Sequence, residues 1–187
     1  MKIAIVKLSA MGDIIHAMVA LQLIKAQRPD VVIDWVVEQG LAGILEHNPD
    51  INRILTVNLK ALKHNKREVF TQIRQIRAYA AHHYDHVIDA QGLLKSAVVA
   101  KLLGRHTVGF SKNSIREKLA AHLYTQTVEI DYGQNVIRRN LKVLCEPLGI
   151  GLDAASDAVR PLTQSGRDDT RLMATWLKGQ QVEIARV

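Results

Sequence analysis

Short runs of β-branched and other apolar residues alternate along this chain with longer segments of helical periodicity, and this alternation restricts the possible folds more than any other feature. The run Lys2–Leu8 predicts a buried strand, Ile14–Ala26 predicts a helix packed on a sheet, and Val31–Val37 predicts a second buried strand. Alternating strands and helices are typical of parallel, doubly wound sheets. The sequence therefore predicts an α/β fold with a doubly wound parallel sheet.

The alternation continues to about residue 150. In the amphipathic segment that begins at Glu68, the spacing places Phe70, Ile73, Ile76 and Ala80 on the inward face. We expect strands at Arg53–Val57, His86–Ile88 and Thr107–Phe110, and helices at Leu41–Glu46, Glu68–Ala81, Leu94–Leu103, Ile115–Leu123 and Asn135–Leu148.

The composition changes after the last of these helices. Residues 149–166 are rich in glycine, with Pro161, and predict a linker, followed by a helix at Thr170–Lys178 and a strand at Val182–Val187. A chain rarely ends on an uncovered strand, because its edge would be unpaired. We expect one domain at 1–150, with 151–187 as the linker and start of a second domain whose remainder is missing.

Charge and cysteine content restrict the partners and the compartment. The formal net charge of +7 favours an anionic partner, whereas aromatic residues make up only 4% of the chain, which is sparse for stacking on single-stranded nucleic acid. Cys145 is the single cysteine, so an intramolecular disulfide is impossible and a reducing, cytoplasmic compartment is expected. The sequence contains no secretory signal pattern and no apolar run long enough to span a bilayer.

The turn after the first predicted strand is the sharpest candidate site. In a doubly wound sheet this turn lies at the carboxyl edge, where ligands bind. Gly12 permits a tight turn or the close approach of a ligand, and Asp13 would stand at a helix N-terminus, where it could cap the helix or act as a general base. His16 follows one helical turn later, and could line the cleft or be a partly buried structural residue.

A second candidate segment follows the strand at His86–Ile88. Gln91, Lys95 and Ser96 offer hydrogen-bond donors for hydroxyl or phosphate groups, and Gly92 permits close approach. An ordinary turn with a solvated lysine explains the same residues equally well.

Two basic runs follow successive strands and could converge on one anion, or could simply be solvated surfaces. Arg116 would lie near a helix start, an unfavourable place for a cation unless an anion joins it. The adjacent His82 and His83 project in different directions, and we expect no metal site. The first run contains Lys60, Lys63, His64, Lys66 and Arg67, and the second contains Lys112, Arg116 and Lys118.

Several of these segments together resemble a known family. The opening Lys2–His16, the strand Asp34–Glu38, the segment Val87–Ala97 and the stretch Ser114–Glu117 are similar to glycosyltransferase family 9, the ADP-heptose:lipopolysaccharide heptosyltransferases. The resemblance covers about the first 150 residues, and Val87–Ala97 favours the type I members over type II.

The resemblance implies a GT-B fold of two Rossmann-like domains and inverting transfer of L-glycero-D-manno-heptose from ADP-heptose to a Kdo residue of lipid A. Asp13 matches the family's general base, Arg116 matches an arginine that binds acidic groups of the acceptor, and Lys60–Arg67 resembles a basic loop near the acceptor. The remaining residues expected to bind the acceptor are Ser9, Met11, Gly12, His16, Lys60, Lys63, Lys66, Arg67, Gln91, Gly92 and Lys95.

The resemblance also implies which components lie elsewhere. In the family the C-terminal domain binds ADP, and Gln181–Val187 resembles only its first strand, so we expect this chain to be inactive alone. The expected partners are Kdo-lipid A, ADP-heptose through the missing domain, and the cytoplasmic face of the inner membrane, with no cofactor, no metal and no nucleic acid.

Other classes of protein remain open at this stage. Another GT-B transferase, such as a type II heptosyltransferase, would share the fold. A response-regulator-like domain needs clustered acidic residues at strand ends, and only Asp13 and Asp89 qualify. A basic nucleic-acid-binding module predicts strongly salt-dependent binding to DNA or RNA.

Overall fold

The computed structural model describes residues 1–63 and 67–151, apart from the side chain of Lys63. In that part, six parallel strands form one sheet, which confirms the predicted α/β class. The strands are β1 (Lys2–Val6), β2 (Val32–Glu38), β3 (Arg53–Val57), β4 (His86–Asp89), β5 (Thr107–Phe110) and β6 (Gln126–Val128), and their order across the sheet is β3-β2-β1-β4-β5-β6.

Helices cover both faces of this sheet. The α-helices are α1 (Met11–Gln27), α2 (Glu68–Ala80), α3 (Leu94–Leu103) and α4 (Val136–Cys145), and short 3-10 turns occur at Gln39–Ile44, Lys60–Lys63, Lys118–Leu123 and Glu146–Leu148. No helix in the described ranges has both the length and the apolar character needed to cross a bilayer.

Strand β1 shows how the sheet divides the core. Ile3 and Ile5 pack into the apolar cluster that contains residues of α1 and α4, whereas Ala4 and Val6 pack into the cluster that contains residues of α2 and α3. This alternation follows from the two-residue period of a strand, and apolar residues on both faces are what a sheet covered on both sides requires. Burial of each large apolar side chain contributes about 1.5–3 kcal/mol.

The end of β1 is fixed by its neighbour β2. The backbone N–H of Lys7 donates to the carbonyl oxygen of Val36 at 3.2 Å, and the indole N–H of Trp35 donates to the carbonyl oxygen of Lys7, also at 3.2 Å. Trp35 is fully buried. These two hydrogen bonds therefore fix the position at which the loop after β1 leaves the sheet.

Four details differ from the sequence-based expectations. Helix α1 begins at Met11 rather than Ile14, so Gly12 and Asp13 belong to its first turn. The helix expected at Ile115–Leu123 is only the 3-10 turn Lys118–Leu123, which leaves Arg116 in a loop. Strand β6 escaped prediction because it is three residues long and begins with two exposed polar residues. Phe70 is 76% exposed rather than inward-facing.

Candidate active site

A cavity of about 270 Å³ lies at the carboxyl ends of β1 and β4, where the strand order reverses direction. Such a point in a doubly wound sheet leaves a crevice, because the connections from the two central strands run to opposite sides. Asp13, Gln91 and Arg116 line this site cavity together, as the sequence predicts. The full lining is Lys7, Asp13, Ala90, Gln91, Gly92, Leu93, Phe110, Ile115, Arg116, Tyr132, Val136, Arg139 and Asn140.

The two central loops are joined by one side chain. The Oε1 atom of Gln91 accepts hydrogen bonds from the backbone N–H groups of Leu8 at 3.1 Å and Ser9 at 3.2 Å. Gln91 thus holds the loop after β1 against the loop after β4. Its side-chain oxygen is used for structure, which leaves the Nε2 amide group as the part of Gln91 that could contact a ligand.

A buried carboxylate fixes the second loop from below. Asp89 Oδ1 accepts hydrogen bonds from the backbone N–H groups of Gln91 and Gly92, at 2.8 and 3.2 Å. Its Oδ2 accepts from the Ser96 hydroxyl at 2.8 Å and the Tyr124 hydroxyl at 2.7 Å. Complete burial raises the pKa of Asp89, and these four donors partly oppose the shift. Asp89 is a structural residue beneath the cavity, and it is absent from the cavity lining.

Two glycines allow this arrangement. Gly92 has a φ of +71°, and a Cβ there would lie 2.9 Å from Cγ2 of Ile115. A Cβ on Gly109 would lie 2.3 Å from the ring of Tyr124, so only glycine lets that ring cross β5 and present its hydroxyl to Asp89. Gly92 was expected to permit the close approach of a ligand, and the groups that approach it closely in the structure are the side chains of Ile115 and Phe110.

Asp13 occupies the first turn of α1 and is half-buried at the cavity. Its Oδ2 accepts a hydrogen bond from the backbone N–H of Ala10 at 3.4 Å, so it contributes to the helix start as well as facing the site cavity. An acidic side chain is favourable in the first turn of a helix. Asp13 is thus both a capping residue and a carboxylate available to a ligand.

Three cations line the same cavity as this single carboxylate. Lys7 is 5% exposed, and its Nζ donates to the carbonyl oxygen of Ala90 at 2.9 Å. Burial lowers the pKa of Lys7, while attraction to Asp13 opposes the shift. Arg116 is exposed at the rim, and its neighbour Glu117 accepts the backbone N–H of Leu94 at 2.6 Å. This excess of positive charge suits an anionic ligand.

Arg139 is the third cation, and its guanidinium is held between two rings. Its central carbon lies 5.1 Å from the ring centre of Phe110 and 4.5 Å from that of Tyr132. Its Nη2 donates to the carbonyl oxygen of Ser114 at 2.7 Å. The orientation of the guanidinium is therefore set before any ligand binds.

Sequence reasoning missed Lys7, Tyr132, Arg139 and Asn140. A usable indication was present for Arg139, because it lies in the first turn of α4, the same unfavourable place for a cation that drew attention to Arg116. Lys7 was missed because it lies in an apolar run that predicted only a strand.

The other residues predicted on the first loop lie near the cavity but outside its lining. The backbone of Ser9 bonds to Gln91, Met11 is 55% exposed, and Gly12 has open space around it. His16 is half-buried, and its Nδ1 has no hydrogen-bond partner in the described structure.

Lys60 and Arg67, the members of the first basic run whose side chains the structure describes, do not line the site cavity with Arg116. Lys60 and Lys95 are exposed near Glu38, whose pKa is raised by burial and lowered in part by these two cations. Arg67 is exposed just before α2. Lys66, His64 and the side chain of Lys63 lie outside the described residues. Within the described ranges, no group of three His, Cys, Asp or Glu side chains is placed to hold a metal ion.

Comparison with known proteins agrees with this fold. The family profile of glycosyltransferase family 9 (heptosyltransferase) matches residues 72–175, and the chain belongs to that family. A lipopolysaccharide heptosyltransferase 1 from Campylobacter coli is 40% identical over 141 residues, which are 75% of this chain and 40% of that protein. The structure of Escherichia coli heptosyltransferase WaaC with ADP matches with a TM-score of 0.75 and 30% identity.

These matches span part of each relative. The WaaC match covers 88% of this chain and 50% of that one, so the chain corresponds to about half of the relatives' length. A short similarity of a different kind also occurs, because 36 residues are 75% identical to phosphohistidine phosphatase SixA of Escherichia coli, over 19% of this chain and 22% of that protein. The expected second-domain start at 151–187 lies outside the described residues, apart from Gly151.

Proposed function

We propose that this chain forms the acceptor-binding side of an inverting heptosyltransferase, which transfers L-glycero-D-manno-heptose from ADP-heptose to a Kdo residue of lipid A. The observation that carries the proposal is the cavity in which the Asp13 carboxylate lies among Lys7, Arg116 and Arg139. Membership of glycosyltransferase family 9 supports the reaction class. The acceptor carries carboxylates and phosphates, which match the excess of cations.

In the proposed reaction Asp13 acts as general base. Its carboxylate takes the proton of an acceptor hydroxyl as that oxygen attacks the anomeric carbon of the heptose. The bond between that carbon and the phosphate oxygen breaks, and ADP leaves with the electron pair. We assign ADP-heptose binding to a second domain, as in the prediction for residues 151–187.

Two experiments test this assignment. Isothermal titration of the 187-residue chain with Kdo-lipid A should show binding that Asp13→Asn preserves and that Arg116→Gln weakens about tenfold or more, because a hydrogen bond to a charged group is lost. A hybrid in which residues 1–150 precede the C-terminal half of the Escherichia coli relative should transfer heptose, and Asp13→Asn should abolish transfer. Near-normal turnover in that variant would remove Asp13 from the mechanism.

The same assays separate the alternative functions. A type II enzyme would leave Kdo-lipid A untouched and extend an acceptor that already carries a heptose. A nucleic-acid-binding module would bind duplex DNA with an affinity that falls steeply as salt rises. We expect neither outcome.

We also propose that the protein contacts the inner membrane peripherally through an apolar groove between α2 and α3. The groove has a volume of about 420 Å³ and is lined by Leu59, Leu62, Val69, Ile73, Leu94 and Val98, among others. Leu93 lines the site cavity, so the groove begins one residue away. Lys95 lines the groove and Lys60 lies nearby, which suits an anionic lipid surface.

Vesicle binding tests the groove. Val98 is 44% exposed within it, and Val98→Asp should weaken sedimentation with vesicles that contain anionic lipid. Leu119 is 70% exposed outside the groove, so Leu119→Asp is the matched control and should bind like the parent. Equal binding by both variants would contradict the proposed contact.

A further inference from the structure

The inner wall of the site cavity, defined as Lys7, Arg139 and Asn140, presents two donors that have no acceptor in the described structure. Nδ2 of Asn140 and Nε of Arg139 are both buried and make no hydrogen bond. Asn140 is 2% exposed and still lines the cavity. An unpaired buried donor is unfavourable, so donors placed in a cavity wall indicate that a ligand supplies the acceptors.

The charges of the inner wall specify what kind of acceptor fits. Lys7 and Arg139 both line this wall, and repulsion from Arg139 adds to the lowering of the pKa of Lys7 by burial, while attraction to Asp13 and Asp89 opposes that lowering. The buried Asp89 carboxylate does not accept hydrogen bonds from the donors of this wall, because its two oxygens already accept four hydrogen bonds from other groups. An anion with at least two oxygens would relieve the repulsion and pair the free donors.

We propose that Lys7, Arg139 and Asn140 form an oxyanion subsite on the inner wall of the cavity, separate from Arg116 at the rim. The stacked guanidinium of Arg139 keeps a fixed orientation, and its Nη2 is committed to Ser114, which leaves Nε for the ligand. The subsite takes an oxyanion of the acceptor, either a sugar carboxylate or a phosphate. Its placement on the acceptor rests on the proposed function, whereas its binding chemistry does not depend on heptose transfer.

The test measures anion binding to the 187-residue chain by isothermal titration, with free Kdo, inorganic phosphate and ADP as separate probes at matched ionic strength. Arg139→Gln should weaken binding of the preferred anion about tenfold or more. Arg138 precedes it on the same helix and is exposed, so Arg138→Gln is the matched control and should leave affinity unchanged. Preference for Kdo assigns the subsite to a carboxylate and preference for inorganic phosphate assigns it to a phosphate, whereas preference for ADP over both would overturn its placement on the acceptor.

Asn140→Leu separates a binding role from a structural one. Because it removes a buried Nδ2 donor that has no acceptor and substitutes an apolar group of similar size, the unliganded Tm should hold or rise while anion affinity falls about tenfold. A purely structural Asn140 would lower the Tm and leave affinity intact. The proposal fails if none of the three probes binds, or if Asn140→Leu binds as tightly as the parent. Kdo binding that persists when the hybrid transfers no heptose would refute the proposed function and leave the subsite standing.

Discussion

The Oε1 atom of Gln91 accepts the backbone N–H of Ser9 at 3.2 Å, across 82 residues of sequence. The same atom accepts the N–H of Leu8, so one side chain fixes the loop that leads to Asp13. Gln91 was predicted to bind the acceptor, and in the structure its side-chain oxygen organises the site. This bond makes the position of the proposed base depend on a residue in the loop after β4.

Replacement of Gln91 by alanine should therefore loosen the first loop. We expect Gln91→Ala to lower the free energy of unfolding by about 1–3 kcal/mol, because two part-buried N–H donors lose their acceptor. Urea denaturation measures the loss, and amide hydrogen exchange at Leu8 and Ser9 should accelerate. Gln134 is exposed, so Gln134→Ala should change neither quantity. Unchanged exchange at both amides in Gln91→Ala would contradict this role.

Gly92 and Gly149 form a matched pair of left-handed glycines. Both have positive φ, +71° and +72°, but a Cβ at Gly149 meets nothing within 4 Å, whereas one at Gly92 meets Ile115. Gly149→Ala should cost about 1–2 kcal/mol of stability from backbone strain alone. Gly92→Ala should cost more and should also weaken acceptor binding, because the loop at the site cavity must shift. Equal losses of stability for Gly92→Ala and Gly149→Ala in thermal denaturation would show that the Ile115 side chain moves aside without further loss of stability.

Gly109 is predicted to be intolerant for a different reason. A Cβ there would overlap the ring of Tyr124, which is packed and donates to Asp89. Displacing the ring and leaving Asp89 short of a donor should destabilise Gly109→Ala by about 2–4 kcal/mol. Gly40 has open space and no positive φ, so Gly40→Ala should remain within about 0.5 kcal/mol of the parent. Urea denaturation of the two variants makes the comparison.

Cys145 gives a prediction of pH dependence. Burial raises the pKa of its thiol from 9.0 to about 12 in the folded protein. The unfolded thiol loses its proton first as the pH rises, so the thiol's contribution is intact below pH 9 and is lost between about pH 9 and 12. Relative to Cys145→Val, the parent should therefore lose about 1.4 kcal/mol of unfolding free energy from pH 8 to 10. Parallel pH curves for the two proteins would exclude this burial effect.

The same burial predicts slow thiol chemistry. In the native protein at pH 8, Cys145 should react with an aromatic disulfide reagent far more slowly than the unfolded chain does, because access and the thiolate are both suppressed. Rapid labelling of Cys145 in a protein whose helical circular dichroism signal is unchanged would contradict this prediction.

The sequence predicted those parts of the fold that depend on local pattern. The apolar runs that became β1 and β2 and the periodic segment that became α3 carry their information within a few residues. Strand β6 does not, because its polar residues are held in place by pairing with β5. The exposure of Phe70 likewise depends on which elements surround α2, which periodicity cannot specify.

The candidate site was predictable to the level of the loops but not to the level of contacts. Order along the sheet places Asp13, Gln91 and Arg116 at one edge, and they do line one cavity. The Gln91 oxygen and the buried Asp89 carboxylate accept hydrogen bonds from residues far away in the sequence. The spacing of residues along the chain cannot predict such bonds. Lys60 was expected nearby and lies beside Glu38, because the loop after β3 leaves the sheet at its edge, where β2 and β1 stand between β3 and β4.

The side-by-side position of β1 and β4 has a consequence for how the pocket can be lost. Its two halves come from distant stretches of chain and are joined only when both central strands are paired. No excised peptide could reproduce such a pocket. Strand β3 contributes no residue to the lining, so fraying at that edge of the sheet should leave ligand affinity intact, whereas separation of β1 from β4 should abolish it in one step.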